Sequence, residues 1–550
     1  MEASRACALL ATVLVAAVLA CLCAEGAEGE VVFLPLDERF TTRDAFVNMA
    51  LSHTPYTLRS PPLAILPHIR EAADIPALQK WVDHALLSPH RRHPAGEADE
   101  REMILSSEMY LYGGLIGSRI SNWTQAEVEG RLAKLVAYKQ QLGDGVKIYA
   151  SAVIMRIPAY NSGFEDQWYW AYYGRDLFQF SYFMDKYDTL RQPADLATAQ
   201  SYRSKVPPAV VEDWLWRRSR NFNVTKAIIE QQFLWKKQHN QRLFEKLYVT
   251  QDDNAEYGFN IAEAEKLKAL VRQYGLEEDI YIYPGADEVG LTMLAQSSVR
   301  KEGKSPRIKL VFRDPATINL IPNYEGQPMI QTLEDQIKAA GGSLTNDTEA
   351  ASVILLVNNF SHQPQTEAPH QPLNRSIAEY AVFDAYLAAA MRNPRVVVGF
   401  ADNRYSNGAD VVLIRYMESQ HSSASHIPMS KFAYAGWNTD GNTLGTVISS
   451  SLLMALFPAK REESTWFNAQ RILEDCSYQA QWRQGLVAYT ALAGDDPNLL
   501  SRDLPFYEQL SYKVLAEDFR VITRVYGLPW TLDAIYYPWR RAFEIGFRSS

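Results

Sequence analysis

Eight times along this chain a short apolar run, rich in β-branched and aromatic residues, stops abruptly at an acid, an amide or a charged cluster. The runs are VVFLPLDER, MILSSE, LYVTQDD, IYIYPGADE, LVFRD, ILLVNN, VVVGFADN and FAYAGWN. Near-continuous apolar runs of this length suit strands covered on both faces, which are the strands of parallel sheets flanked by helices. Open α/β sheets place their sites outside the carboxyl ends of such strands. The repetition therefore points to an α/β fold and gathers the polar chemistry at sheet edges.

Helical patterns fill most of the gaps. Ile75–Leu87 follows Asp74 and carries Pro76 in its first turn. Thr124-x-x-Glu127 forms a capping box ahead of Val128, Leu132, Leu135 and Val136 at helical spacing. Further helices are expected over Ala262–Tyr274, over Met329–Ala340 with Gly341 and Gly342 as its stop, over Ile377–Met391 and from about Thr443 to Leu456. Ten or more strands exceed a simple eight-stranded barrel, and 550 residues exceed one typical core.

The reading is two parallel-sheet α/β domains with a helical C-terminal region; a decorated β/α barrel plus a small α/β domain is the alternative. The expected boundaries are a signal peptide at 1–29, an N-terminal α/β domain at 30–303 and a second, doubly wound domain at 304–460. A helical insertion at about 158–241, either a lid or a packed helical layer, interrupts the first domain. Residues 461–550 are read as helical, aromatic-rich and packed back across both domains, including YGLPWTLDAIYYPWRRAF.

The compartment follows from the first residues. Arg5 and the apolar stretch Ala8–Cys23 read as a secretory signal. Cys7, Cys21 and Cys23 leave with it, so Cys476 alone remains and no intrachain disulfide forms in the mature chain. Sequons begin at Asn122, Asn223, Asn346, Asn359 and Asn374, each a candidate exposed glycosylation site. A polar loop is expected over His90–Glu102. These features describe a secreted or lysosomal glycoprotein with no stable membrane insertion after signal cleavage. A formal net charge of −9 speaks against non-specific nucleic-acid binding.

Carboxylates dominate the candidate chemistry. Asp252, Asp253, Asp287 and Glu288 follow expected strands and are the catalytic candidates. Neighbours on extended backbone point to opposite faces, so one member of each pair is expected to face a cleft. Carboxylates crowded from different strands differ in proton affinity and divide acid and base roles, as glycoside hydrolysis requires. Asp37, Glu38, Arg39, Glu108, Tyr112, Arg119, Asn358, Asp402, Asn403, Trp437, Asn438 and Asn442 are the substrate-binding candidates. The last three precede a helix whose N-terminal amides suit an anion or a hydroxyl. Thirty Tyr and twelve Trp offer flat faces with polar tips, suited to sugars as well as to cores.

Neither H-E-x-x-H nor G-x-S-x-G occurs, which speaks against zinc-hydrolase and serine-nucleophile chemistry. No cofactor is expected, although an oxygen-ligated Mg²⁺ or Ca²⁺ at the strand-end acids stays open.

At PLDER, YGGLIGSR, GADEVG and GWNTDGNTLG the chain resembles a mainly bacterial family of unknown function marked by a PLDERP-like motif. The resemblance runs from about Val31 into the C-terminal part. Phe40 stands where the family usually has Pro, and Glu108 where it more often has Asp. The resemblance implies where the site lies and carries no reaction.

The leading expectation is a hydrolase of a glycan or glycoconjugate working by carboxylate acid/base catalysis. A non-catalytic, two-lobed protein binding a sugar or other small molecule is the second reading. A metal-dependent phosphoester or amide hydrolase is the third.

Overall fold

The eight apolar runs supply eight of eleven parallel strands, which lie in two open sheets. The computed structural model describes residues 29–88, 101–422, 427–500 and 503–549; residues 1–28 of the expected signal peptide and 90–100 of the expected polar loop lie outside them, and Arg101 and Glu102, expected in that loop, belong instead to a strand. The first sheet holds β1 (Glu30–Leu34), β2 (Thr57–Arg59), β3 (Arg101–Ser106), β4 (Val146–Ile154), β5 (Lys246–Gln251) and β6 (Ile280–Pro284). Their spatial order is β2-β1-β3-β4-β5-β6. The second sheet holds β7 (Arg307–Phe312), β8 (Ser343–Leu344), β9 (Val353–Val357), β10 (Val397–Ala401) and β11 (Phe432–Ala435), in the order β11-β10-β9-β7-β8. In each sheet the second strand lies on one side of the first and all later strands on the other, the doubly wound order. Both sheets keep free edges, so the barrel alternative is set aside.

Alternation along each strand divides the core. Val31 and Phe33 face an inner cluster, whereas Val32 and Leu34 face an outer one. The inner cluster also takes Leu355, Val397 and Ala435 from the second sheet. Between the sheets lie the helices Ala45–His53, Val289–Glu302, Met329–Ala339 and Asp440–Leu456, so the two sheets share one helical layer. The helices Val289–Glu302 and Asp440–Leu456 meet closely at Gly445, where an added Cβ would come within 2.3 Å of Glu288 Cγ. This shared layer brings the ends of both domains to one cavity.

Several local expectations change. The helix Val411–Ser422 joins β10 to β11 and leaves no helical signature in the sequence, because Val411, Val412, Leu413 and Ile414 are consecutive and all buried, which hides the helical period. The segment from Ile377 opens as a 3₁₀ turn to Phe383 before the α-helix Asp384–Arg392. The helix expected from Thr443 begins at Asp440, because the Thr439 side chain accepts from the Asn442 amide and caps it there. YGLPWTLDAIYYPWRRAF is not helical: Leu532–Tyr536 pairs antiparallel with Gly546–Ser549, and Pro529 and Pro538 interrupt helical hydrogen bonding.

The insertion is a packed helical layer. Trp170–Leu190, Pro193–Arg203 and Pro208–His239 bury their own cluster around Trp170, Leu177 and Trp214. Only the loop leading into it reaches the site. Among the described residues no single helix is long and apolar enough to cross a membrane.

Candidate functional site

A cavity of about 580 Å³ opens where the carboxyl ends of β4, β5 and β6 meet loops of the second domain and the C-terminal region. The first domain contributes Arg39, Arg156, Asp252, Asp253 and Asp287, and the insertion loop contributes Tyr160 and Glu165. Tyr324, Glu367, Asn407 and Asn438 come from the second domain, and Arg483, Arg541 and Phe543 from the C-terminal region.

Ion pairs fix these side chains. Arg39 donates from Nη2 to Asp37 Oδ2 at 2.7 Å and to Asp287 Oδ1 at 2.7 Å, with its guanidinium 4.4 Å from the centre of the Trp539 ring. Arg119 joins Asp252 (2.6 Å) to Glu165 (3.0 Å). Arg156 joins Asp253 (2.8 Å) to Asp166 (2.7 Å). Arg541 donates to Glu165 Oε1 at 2.7 Å and also grips Glu544. Adjacent Asp252 and Asp253 thus answer to different arginines, and both still reach the cavity.

The backbone around the cavity is unusual. Asp253, Tyr324, Asn407 and Asn438 adopt positive φ of 43°, 67°, 59° and 60°. Left-handed backbone costs a non-glycine residue roughly 1–3 kcal/mol and collects where a side chain must be aimed. Arg39 immediately precedes the π-helical turn Phe40–Asp44, and Arg483 immediately follows the π-helical stretch Leu473–Trp482. Such turns are rare and cluster at functional sites.

Burial separates the carboxylates in proton affinity. The Asp253 carboxyl is pushed up to about 7 by burial and by the neighbouring Asp252 charge, with Arg156 opposing. Asp287 is raised to about 6 by burial, against the pull of Arg39. Burial would also raise Glu165, but Arg156, Arg541, Arg119 and Arg39 hold it well below the usual carboxylate range.

Other candidates sit off the cavity. Asp37 orients Arg39 from behind. Trp437 Nε1 donates to Asp287 Oδ2 at 3.4 Å and supports that carboxylate, while Asn442 Oδ1 accepts from the Asp287 amide at 3.0 Å and fixes its backbone. Arg119 supports Asp252 in the same way.

The remaining expectations are corrected by packing. Glu38 turns away from Asp37 and accepts from the Ile69 amide and Trp539 Nε1. Glu108 accepts from the Val153 amide and Ser106 Oγ in the outer core. Tyr112 is buried beside Arg220. Glu288 accepts from Gln336 and the Ala286 amide within the shared helical layer. Asn358 donates to Asp402 and Asp410, while Asn403 donates to the Asp440 carbonyl; these close the end of the second sheet on itself. The helix N-terminus at Asp440 is likewise occupied, since Gly441 N donates to Glu325 and Asn442 N to Thr439.

The sequons divide as well. Asn122, Asn346 and Asn374 are exposed. Asn223 lies inside the helix Pro208–His239 and donates to Gln125, and Asn359 is fully buried against Asp314 and Thr317; neither is the exposed loop expected.

The sequence reading missed Arg156, Glu165, Asp166, Tyr324, Glu367, Asn407, Arg483 and Arg541. Arg156 and the pair Glu165-Asp166 follow the end of β4, so the strand-end rule reaches them once the insertion loop is counted with the strand. Arg483 and Arg541 carry no local signal. Among the described residues no group of three or more His, Cys, Asp or Glu side chains is placed to hold a metal ion.

Fold and site together define a two-sheet, doubly wound α/β protein with an interdomain cavity of paired carboxylates and arginines. The chain belongs to the family DUF4127, described as a protein of unknown function, whose model matches residues 31–548. No curated protein and no solved structure matches it.

Proposed function

We propose that this protein is a secreted or lysosomal hydrolase of a glycan or glycoconjugate, with Asp253 as the proton donor. The supporting observation is the set Asp252, Asp253 and Asp287 lining one polar cavity, with Asp253 raised to about 7 and Asp287 to about 6. A carboxyl protonated near neutrality donates to a leaving oxygen, while a neighbouring ionised carboxylate activates water or supports developing positive charge. Arg156, tied to both Asp253 and Asp166, fixes the donor's direction.

A panel of chromogenic glycosides and natural glycans, run with native protein and with Asp252→Asn and Asp253→Asn variants, tests this reading. Turnover of at least one glycan, lost in Asp253→Asn, is the expected result. No turnover across the panel, or equal activity in the variants, would overturn it.

One observation favours the two-lobed binding reading: all three aspartates of the cavity are already engaged by arginines. Calorimetric binding of a sugar that is never turned over would decide for it.

A further inference from the structure

We propose that the ligand of this cavity carries an anionic group, a carboxylate, sulfate or phosphate on a sugar, and that Arg483 receives it. This rests on the glycan reading of the same cavity and names the substrate class within it.

Arg483 lines the cavity and is only 6 % exposed. The other cavity arginines are each tied to carboxylates: Arg39 to Asp37 and Asp287, Arg156 to Asp253 and Asp166, Arg541 to Glu165 and Glu544. Among the described residues the Arg483 guanidinium has neither an ion pair nor a hydrogen bond. It stands 5.0 Å from the centre of the Phe543 ring, itself part of the cavity wall. That aromatic face holds the guanidinium in place and leaves its fork of donors for a ligand.

Burying a cation without a counter-ion is unfavourable, because its hydration is lost and no partner charge replaces it. Consistent with this, burial lowers the proton affinity of Arg483, and the opposing influence of Tyr478, Glu367 and Glu544 does not offset it. Glu367 is the acid of the second domain on the same cavity, and it is engaged by the Tyr324 hydroxyl at 3.1 Å. An incoming anion would supply the missing charge through a bidentate, charge-assisted contact. Gln484 and Asn438 line the same cavity and suit the hydroxyls of a sugar ring beside it.

Two measurements on the full chain test the assignment, each with native protein, Arg483→Gln and Arg483→Lys. The first is the thermal shift caused by inorganic sulfate, phosphate and acetate. The second is calorimetric binding and turnover of glycans bearing uronate, sulfate or phosphate groups, against their methyl-esterified, desulfated or dephosphorylated counterparts.

The native protein is expected to be stabilised by the anions and to bind anionic glycans at least about tenfold more tightly than neutral ones. Arg483→Gln should erase both effects without lowering the melting temperature, because no ion pair is lost, and Arg483→Lys should keep part of them. The glycan arm distinguishes carboxylate, sulfate and phosphate. Anion stabilisation that disappears in Arg483→Gln, with no glycan bound or turned over, keeps the anion site and overturns the glycan reading. Glycan turnover with no preference for charge, or a preference that survives Arg483→Gln, overturns the anion site and keeps the hydrolase. Absence of any anion effect in either measurement also overturns the site.

Discussion

Arg39 and Asp287 stand 248 residues apart in the chain and share two hydrogen bonds, of 2.7 and 3.3 Å. The same guanidinium holds Asp37 and lies over Trp539. The end of the first strand, the turn after the sixth and the C-terminal region therefore meet at one buried cation. Arg39 and Asp287 both line the cavity, so its wall is built on that junction.

Replacing Arg39 with Met should leave Asp37 and Asp287 buried without their cation, at a penalty of about 3–5 kcal/mol. Adding Asp287→Asn to Arg39→Met removes one of the stranded charges and should recover part of the loss. Urea unfolding of the single and double variants measures both. A single variant as stable as the native chain would show that the junction carries no strength.

The activity proposed for Asp253 fixes the alkaline side of the pH profile. The donor works protonated, so turnover should fall about tenfold per pH unit once the pH passes about 7, the value to which burial and Asp252 push it. Asp253→Asn should lower turnover by roughly 10²–10⁴-fold and abolish that alkaline limb. A profile that stays flat to pH 9 in the native protein would assign the proton to another group.

Most of the fold was legible because buried parallel strands leave a strong mark: each of the eight apolar runs contains or leads into a sheet strand. The strand ends also bring Asp252, Asp253, Asp287 and Asn438 to one cavity. It failed for Asn358, Asp402 and Asn403 for a physical reason. Their sheet end is closed by Asp410, Tyr434 and Arg375, which arrive from loops and neighbouring strands that the strand pattern does not connect. Glu38 and Glu108 were lost differently, since an acid beside a turn satisfies a buried backbone amide as readily as it faces a cleft. Arg483 and Arg541 were illegible because their role depends on where the C-terminal region docks, which no local periodicity records.

Stability should rise as the solution is made mildly acidic. Burial raises Glu108 and Glu288 to about 7, Asp440 to about 7 and Asp402 to about 8. A raised folded-state value means the native chain binds protons that the unfolded chain has already released above about pH 4–5. Each such group contributes fully below its unfolded value, and the contribution is lost as pH rises through its folded value. The melting temperature should therefore be higher at pH 5 than at pH 8, by on the order of 5 °C. Glu108→Gln, which mimics the protonated side chain, should flatten part of that slope. Greater stability at pH 8 in a melting series would contradict the burial of these carboxyls as neutral groups.

Glu165 should behave in the opposite way and hold the site together under those acid conditions. It accepts from Arg119 at 3.0 Å and Arg541 at 2.7 Å and lies 3.3 Å from Arg156, so one carboxylate ties the insertion loop to the first domain and to the C-terminal region. Those cations overcome its burial and hold its proton affinity well below the usual range. A lowered folded-state value gives stability that is present above the unfolded value, near pH 4–5, and is lost only as pH falls through the folded one. The tie therefore persists at pH 5, where the raised carboxyls are already neutral. Glu165→Gln removes the charge and leaves the guanidiniums short of a counter-ion, with an expected loss of about 3–5 kcal/mol. Hydrogen exchange across Leu532–Tyr536 and Gly546–Ser549 should quicken in that variant at pH 5 and at pH 7 alike, because Arg541 has lost its anchor. Unchanged protection of both strands would mean that the C-terminal region is held by its aromatic packing alone.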